Sequence, residues 1–299
     1  MQQETYCGYI AIVGRPNVGK STLLNQLIGE KVSITSAKPQ TTRHQIMGIA
    51  TIDNKQFVYV DTPGIHQHAK RRLNKVMNKA AISILRDVDI IVWVVDSLQW
   101  TEEDQLVLEH IRSVAKVPVI LVINKIDKVG NKDLLLPHIK TISSYFEFTD
   151  IVPVSAKSTK NLTRLQEVLA NHLPHNEFFY DSDHLTNRSE RFMIRELIRE
   201  KIFRAVGGEL PHAITVNLET FELKQQIYHI DALILVERDG QKRIIIGTKG
   251  EKLKRIGTES RRDIEALLGN KVFLRLWVKT KRGWTDSDDM LHDLGYLEI

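Results

Sequence analysis

The chain has 299 residues, a composition of 42% hydrophobic and 26% charged residues and a formal net charge of +5, which argues for two folded domains and against disorder or a fibrous repeat. One cysteine, Cys7, excludes a disulfide framework and a cysteine-rich zinc site. The longest apolar stretches, 90–95 and 117–123, fall far short of the roughly 20 residues of a membrane helix, and the N-terminus has neither the basic start nor the apolar core of a signal peptide.

In chain order, short apolar runs at 8–13, 46–52, 57–60, 90–95, 117–123 and 151–154 read as strands. Amphipathic stretches at 21–29, 71–86, 102–115, 132–146 and 162–173 read as helices. Buried β-branched runs followed by helices specify βαβ units and a mostly parallel six-stranded sheet covered on both faces. The exception is the pair 46–52 and 57–60, joined by the turn residues Asp53-Asn54, which predicts one antiparallel edge strand. After Pro174 the pattern breaks into a polar linker, 175–187, carrying Phe178, Phe179 and Tyr180. A long helix at 189–206 is expected to end at Gly207-Gly208. Alternating strands at 214–223 and 227–237, a glycine-rich segment, a helix at 251–268 and a strand at 272–279 complete an α+β unit. The expected domains are 1–174, a linker 175–187, 188–280 and an acidic tail 281–299.

The net charge hides a strong local asymmetry. Residues 171–237 carry −4, residues 238–282 carry +9, and residues 283–299 carry −5. The +9 segment is the electrostatic footprint of a polyanion partner. The acidic tail reads as a solvated terminus, with folding against the basic strip as an intramolecular competitor for RNA the alternative.

The segment Gly14, Arg15, Pro16, Asn17, Val18, Gly19, Lys20, Ser21, Thr22 follows a strand and opens a helix, which is the P-loop pattern in its required context. Its glycines let backbone N–H groups converge on the β-phosphate, Lys20 spans the β- and γ-phosphates, and Ser21 offers a hydroxyl to Mg²⁺. Asp61-Thr62-Pro63-Gly64 ends the third strand, where Asp61 can hold Mg²⁺ through water and the Gly64 N–H can meet the γ-phosphate. Asn124-Lys125-Ile126-Asp127 ends the fifth. The Asp127 carboxylate can accept from both N1–H and the 2-amino group of guanine, and adenine has no such donor pair, so the nucleotide is GTP or GDP. Ser155-Ala156-Lys157 ends the sixth strand, where a backbone N–H could reach guanine O6. In the loop 31–44, Thr41 or Thr42 would complete the Mg²⁺ shell while the γ-phosphate is present, with Thr42 the favoured candidate. Lys20, Thr42 and Gly64 are thus the candidate catalytic groups, and Ser21, Thr42 and Asp61 the candidate metal ligands.

Inside the +9 segment, Ile246-Gly247-Thr248-Lys249-Gly250 leads into a helix bearing Lys252, Lys254 and Arg255. A Gly-X-X-Gly loop at a helix N-terminus is the KH-domain device for gripping single-stranded RNA, so no DNA partner is expected. The competing reading is a membrane-associated signalling GTPase whose second domain contacts protein or anionic lipid. Such a patch needs no paired glycines.

The motifs at 14–21, 40–44 (Gln-Thr-Thr-Arg-His), 61–64, 124–127 and 246–250 together resemble the Era family of bacterial GTPases, in the TrmE-Era-EngA-like group, over essentially the whole chain. The resemblance implies a Ras-like GTPase domain followed by a type II KH domain. It further implies binding to 16S ribosomal RNA near its 3′ end, a role in assembling the 30S subunit, and a cytoplasmic protein partly associated with the inner membrane. Two departures stand out. Family members often carry Lys at the Thr248 position, so the charge here is displaced by one residue. Ile65 stands where Ras-type GTPases have the glutamine that orients the attacking water, so slow intrinsic hydrolysis is expected. A related GTPase group with a hydrophobic residue there uses a P-loop asparagine to bind K⁺, which suggests K⁺ near Asn17.

Overall fold

The computed structural model describes residues 4–65, 71–114, 116–130, 135–206 and 214–297. By packing, the chain forms two units. One comprises Met1–Ser33, Thr42–Lys70 and Asn74–Asn187, the other Ile34–Thr41, Arg71–Leu73 and Arg188–Ile299.

In the first unit the strands are β1 (Tyr6–Val13), β2 (Ile46–Ile52), β3 (Lys55–Asp61), β4 (Ile90–Asp96), β5 (Val119–Asn124) and β6 (Asp150–Pro153). Strands β4 and β5 are rich in β-branched residues and buried on both faces, and β1 is buried from Ile10 to Val13, which requires helices on either side. Those helices are α1 (Lys20–Ile28), α2 (Arg72–Ser83), α3 (Glu102–Val114), α4 (Leu135–Ser143) and α5 (Leu162–Ala170). The sheet order is β2-β3-β1-β4-β5-β6, and only the β2–β3 pair is antiparallel. The chain leaves β1 toward β3 on one side and β4 on the other, a topological switch point, so a ligand crevice opens at the carboxyl ends of these strands.

The stretch 175–187 is no free linker. Gln56, fully buried, accepts from the N–H groups of Phe179 (2.9 Å) and Tyr180 (3.0 Å) and donates to Tyr180 O (2.8 Å). The Phe179 ring stacks on Tyr9, and Leu185 O accepts from Ile49 N at 2.9 Å, so the connector pairs with the edge strand β2.

The second unit begins with α6 (Glu190–Ala205), whose N-cap Ser189 accepts from Phe192 N. This helix buries polar as well as apolar residues, and its buried ions are paired: Glu196 with Arg199, Glu200 with Arg204, Lys201 with Asp263. The Gly207-Gly208 stop lies outside the described residues. Strands β7 (Ile214–Lys224) and β8 (Ile227–Val236) form an antiparallel pair, and β9 (Lys271–Thr280) adds parallel to β8. Helices α7 (Asp239–Ile246) and α8 (Glu251–Leu268) lie between β8 and β9. Ile198, Ile202, Ile234, Ile245 and Ile264 share the core. The resulting α-β-β-α-α-β order is that of a type II KH unit.

Two expectations need correction. The segment before Gly247 is a helix, although Gly240 and three consecutive isoleucines are poor helix formers. The Gln241 side chain holds its first turn by accepting from Glu237 N and Arg238 N (2.9 Å each), while Ile245 enters the core. The acidic tail is folded too. Trp284 and Leu291 are fully buried, Tyr296 OH lies 3.2 Å from Thr215 Oγ1, and Ser287 caps α9 (Asp288–Asp293). Its charges sit outside a small apolar face that charge counting ignores.

Candidate functional site

The P-loop wraps the start of α1 after β1. Gly19 has φ 103°, and a Cβ there would stand 2.4 Å from Asn124 Nδ2, so only glycine lets the loop lie against the end of β5. Asn124 Nδ2 in turn donates to Val18 O (2.8 Å), and Lys125 Nζ donates to Asn17 O (2.5 Å) and Asp96 Oδ2 (2.8 Å). Base-reading and phosphate-binding motifs are thereby one hydrogen-bonded body. Lys20 is buried, and its Nζ donates to Gly14 O (2.8 Å) and Arg15 O (2.9 Å). Burial lowers its pKa to about 8, against the opposing pull of Asp61. Arg15 is tied to buried Asp104 of α3 at 2.9 Å, and Gly64 lies against Pro16. Thr22 sits in the first turn of α1 behind Ser21.

Three hard oxygen groups converge beside Lys20. Ser21 Oγ donates to Asp61 Oδ2 (2.6 Å) and lies 2.7 Å from Thr42 Oγ1, which itself reaches Asp61 Oδ2 at 3.3 Å. Asp61 is fully buried, Oδ1 has no protein partner, and burial raises its pKa despite Lys20 and the three hydroxyls around it. Two hydroxyls and a carboxylate with an unsatisfied oxygen suit Mg²⁺. The Thr41 hydroxyl instead meets Ser36 Oγ (2.7 Å) and Lys38 O (2.6 Å), so geometry favours Thr42. Ile65 is buried in the core with Ala11, Val13 and Trp93, away from any water-positioning role. Thr62 Oγ1 donates to Ile12 O (3.0 Å), fastening the segment that continues through Pro63.

At the base-reading end, Asp127 is exposed and one carboxylate oxygen accepts from Ser155 Oγ at 2.6 Å. The Ala156 N–H donates to Asn124 Oδ1 (3.0 Å), so it braces the motif; Lys157 follows it. The motif spacing marked Ser155, but Asp96, Asp104 and Ser33, whose Oγ donates to Asp61 at 3.1 Å, carry no local motif and were invisible in the sequence.

In the second unit Gly247 has φ 73°, and a Cβ there would stand 2.7 Å from Lys252 Cβ. Thr248 and Lys249 are exposed at the tip, with Lys249 left-handed at φ 48°. Below Gly250 an open groove of about 420 Å³ runs between α8 and β9, lined by Leu253, Lys254, Gly257, Arg261, Leu274 and Leu276. Apolar walls with a basic rim suit nucleobases with their phosphates outside. Ile246 packs on the core, Lys252 lies under Gly247, and Arg255 approaches Glu259 at 3.9 Å, so of the predicted RNA residues Gly250 and Lys254 line the groove itself. Arg261, Leu274 and Leu276 become part of it only because β9 folds beside α8.

A P-loop, an Mg²⁺-suited oxygen cluster and the Asn124–Asp127 motif at the carboxyl ends of one sheet's strands, with a Gly-Thr-Lys-Gly loop over a groove in the same chain, are the features of a P-loop GTPase with a KH-type unit. The pattern of the family described as 50S ribosome-binding GTPase matches residues 9–125, and that of the KH domain family matches residues 209–285. GTPase Era of Marinobacter nauticus is 55% identical over 292 residues, covering 98% of this chain and 95% of that one. GTPase Era of Pseudomonas syringae pv. tomato is 53% identical over 99% of this chain and 98% of its own. Among solved structures, a variant of Aquifex aeolicus Era bound to GDP and AlF4⁻ matches with TM-score 0.94 and 37% identity, over 98% of this chain and 99% of that one. Era in complex with MgGDPNP and nucleotides 1506–1542 of 16S ribosomal RNA matches with TM-score 0.94 and 38% identity, over the same shares of the two chains. The chain belongs to the Era family of GTPases.

Proposed function

We propose that this chain hydrolyses GTP and grips single-stranded 16S ribosomal RNA near its 3′ end, acting in assembly of the 30S subunit. The GTP function is assigned to residues 1–174 and the RNA function to 188–280. The observation that carries this reading is the open α8–β9 groove beneath an exposed Gly-Thr-Lys-Gly loop, in a chain matching over 98% of its length an Era bound to that RNA.

Within the GTP site the chain's own groups divide the work. Asp127 selects guanine, the P-loop amides and Lys20 hold the phosphates, and Ser21, Thr42 and Asp61 would hold Mg²⁺. The ion supplies positive charge that stabilises the phosphoryl oxygens during transfer. The Gly64 N–H is assigned to the γ-phosphate. With Ile65 in the core, K⁺ near Asn17 is the proposed source of further positive charge, and faster hydrolysis in K⁺ than in Na⁺ is the outcome that supports it. No described helix is long and apolar enough to cross a membrane, and the proposed location is the cytoplasm with peripheral contact at the inner membrane.

The test is a double variant, Gly247→Asp with Lys249→Asp, assayed on an oligonucleotide of the 16S 3′ end. The expected result is a loss of RNA affinity of at least about a hundredfold with GTP affinity intact. Unchanged RNA affinity refutes the KH assignment, and retention on anionic vesicles in place of RNA would favour the signalling GTPase.

A further inference from the structure

Helix α8 carries a glycine that its fold does not require. Gly257 is the seventh of the helix's 18 residues, well inside it, where glycine is the least favourable residue apart from proline. Glycine commonly holds such a place because the backbone takes a positive φ or because a neighbour crowds the Cβ. Gly247, at the loop, has both reasons: φ 73° and a Cβ that would stand 2.7 Å from Lys252 Cβ. Gly257 has neither. It is not among the positive-φ residues, and a Cβ there meets only Leu276 Cδ1 at 3.5 Å, an ordinary van der Waals contact. Alanine would fit and would strengthen the helix. The unit's other described α-helical glycine, Gly240, stands in the first turn of α7, where helices fray.

What lies over Gly257 is the groove. Leu253 and Lys254 come one turn before it and Arg261 one turn after, so they share its face of the helix. Ile256, Ser260 and Ile264 take the neighbouring, buried face. Leu274 and Leu276, two apart on β9, share the sheet face that packs on the core and form the groove's other wall. Gly257 itself is half-buried, so bare helix backbone floors the groove between leucine walls. The exposed Lys254 and Arg261 stand at the rim. Arg255 approaches Glu259 and Arg275 is held by Asp231, whereas among the described residues Lys254 and Arg261 carry no ion pair, which leaves their charge for phosphates. A flat floor with apolar walls suits the face of a planar ring. A methyl projecting about 1.5 Å from the backbone would lift that ring off its contacts.

We propose that Gly257 is a specificity-determining residue of the RNA groove: its bare backbone is the floor against which one nucleobase of the bound single strand lies flat. Helix stability is given up for that contact. Nothing in the Gly-X-X-Gly motif marks this residue. Because the proposal rests on the RNA reading of the groove, its test separates the two.

Affinity is measured by fluorescence anisotropy on the full chain and on G257A, G257L and the loop double variant G247D/K249D. The probes are an oligonucleotide of the 16S 3′ end and a set of the same oligonucleotide with one abasic position each. In the wild type, one abasic position is expected to cost about tenfold through loss of the base on Gly257. G257A should weaken the intact oligonucleotide about fivefold and shrink the penalty at that position to about twofold. G257L should weaken it about tenfold and abolish that penalty, with the penalties elsewhere at their wild-type values. Amide hydrogen exchange in α8 of G257A should be slower than in the wild type, because the methyl favours the helix. Unchanged affinity in both Gly257 variants overturns the proposal. So does a fall with an unchanged abasic profile, which marks an effect not made through a base. Faster exchange in α8 of G257A overturns it too, since the glycine then serves packing. Wild-type affinity in the loop double variant overturns the RNA reading itself, whatever the Gly257 variants do.

Discussion

At Lys20, burial and charge pull in opposite directions. Desolvation disfavours the ammonium, Asp61 favours it, and burial wins, leaving a pKa of about 8 against 10.5 for a free lysine. Between those two pH values the unfolded chain binds more protons than the folded one, so this residue makes folding more favourable as pH rises. Urea denaturation of the nucleotide-free protein from pH 7.5 to 10.5 should show that gain, up to about 3 kcal/mol, and Lys20→Met should remove it. Excess GTP should remove it too, because the phosphates hold the ammonium charged. At the other end of the crevice, Asp127→Asn replaces two acceptors by an amide that can face xanthine O2. GTP affinity should fall by about a hundredfold while XTP binding appears, measured by competition against fluorescent GDP. These motif residues are readable in sequence because each works within four consecutive positions. Their braces are not: Asp104 meets Arg15 and Asp96 meets Lys125 only after the strands align.

Among the elements, the connector at 175–187 depends most on packing. Its polar composition predicts freedom, yet a single buried glutamine satisfies three of its backbone groups, two N–H groups and a carbonyl. Replacing Gln56 by Ala leaves those groups unsatisfied beside the sheet. The expected outcome is a loss of about 2–3 kcal/mol in the first unit, read by denaturation, with proteolytic cutting appearing near 178–180. Helix α7 shows the same override from the opposite side. Gly240 and the isoleucine run argue locally against a helix, and burial of Ile245 with the Gln241 cap outweighs them. Strand β9 contributes to the proposed RNA groove in a way periodicity does not reveal, since Leu274 and Leu276 become groove wall by lying beside α8.

For the whole molecule, the net charge of +5 is the sum of segments that the fold treats separately. The basic segment 238–282 supplies the Gly-Thr-Lys-Gly loop and the groove rim, whereas the acidic tail is a packed cap over Thr215 and the end of β8. Thr285 and Arg71 both engage Glu237, which closes β8. Removing the tail's largest buried side chain, Trp284→Ala, should cost the second unit about 3–5 kcal/mol and lower RNA affinity through loss of folded material.

The amino-acid sequence by itself determined the order of strands and helices in the GTPase half, the antiparallel edge strand, the choice of guanine and the presence of a KH loop. Each of these is encoded by neighbours in the chain: an apolar period, a turn pair or a four-residue motif. Tertiary structure alone decided which of two adjacent threonines faces Ser21 and Asp61. Thr41 and Thr42 have the same chemistry and the same local context. They are distinguished by their partners: the Thr41 hydroxyl donates to Lys38 O and meets Ser36 Oγ, whereas the Thr42 hydroxyl donates to Asp61 Oδ2 and meets Ser21 Oγ. The carbonyls of Gln40 and Thr41 accept from the buried guanidinium of Arg199, more than 150 residues away in the chain, a separation no local pattern can encode.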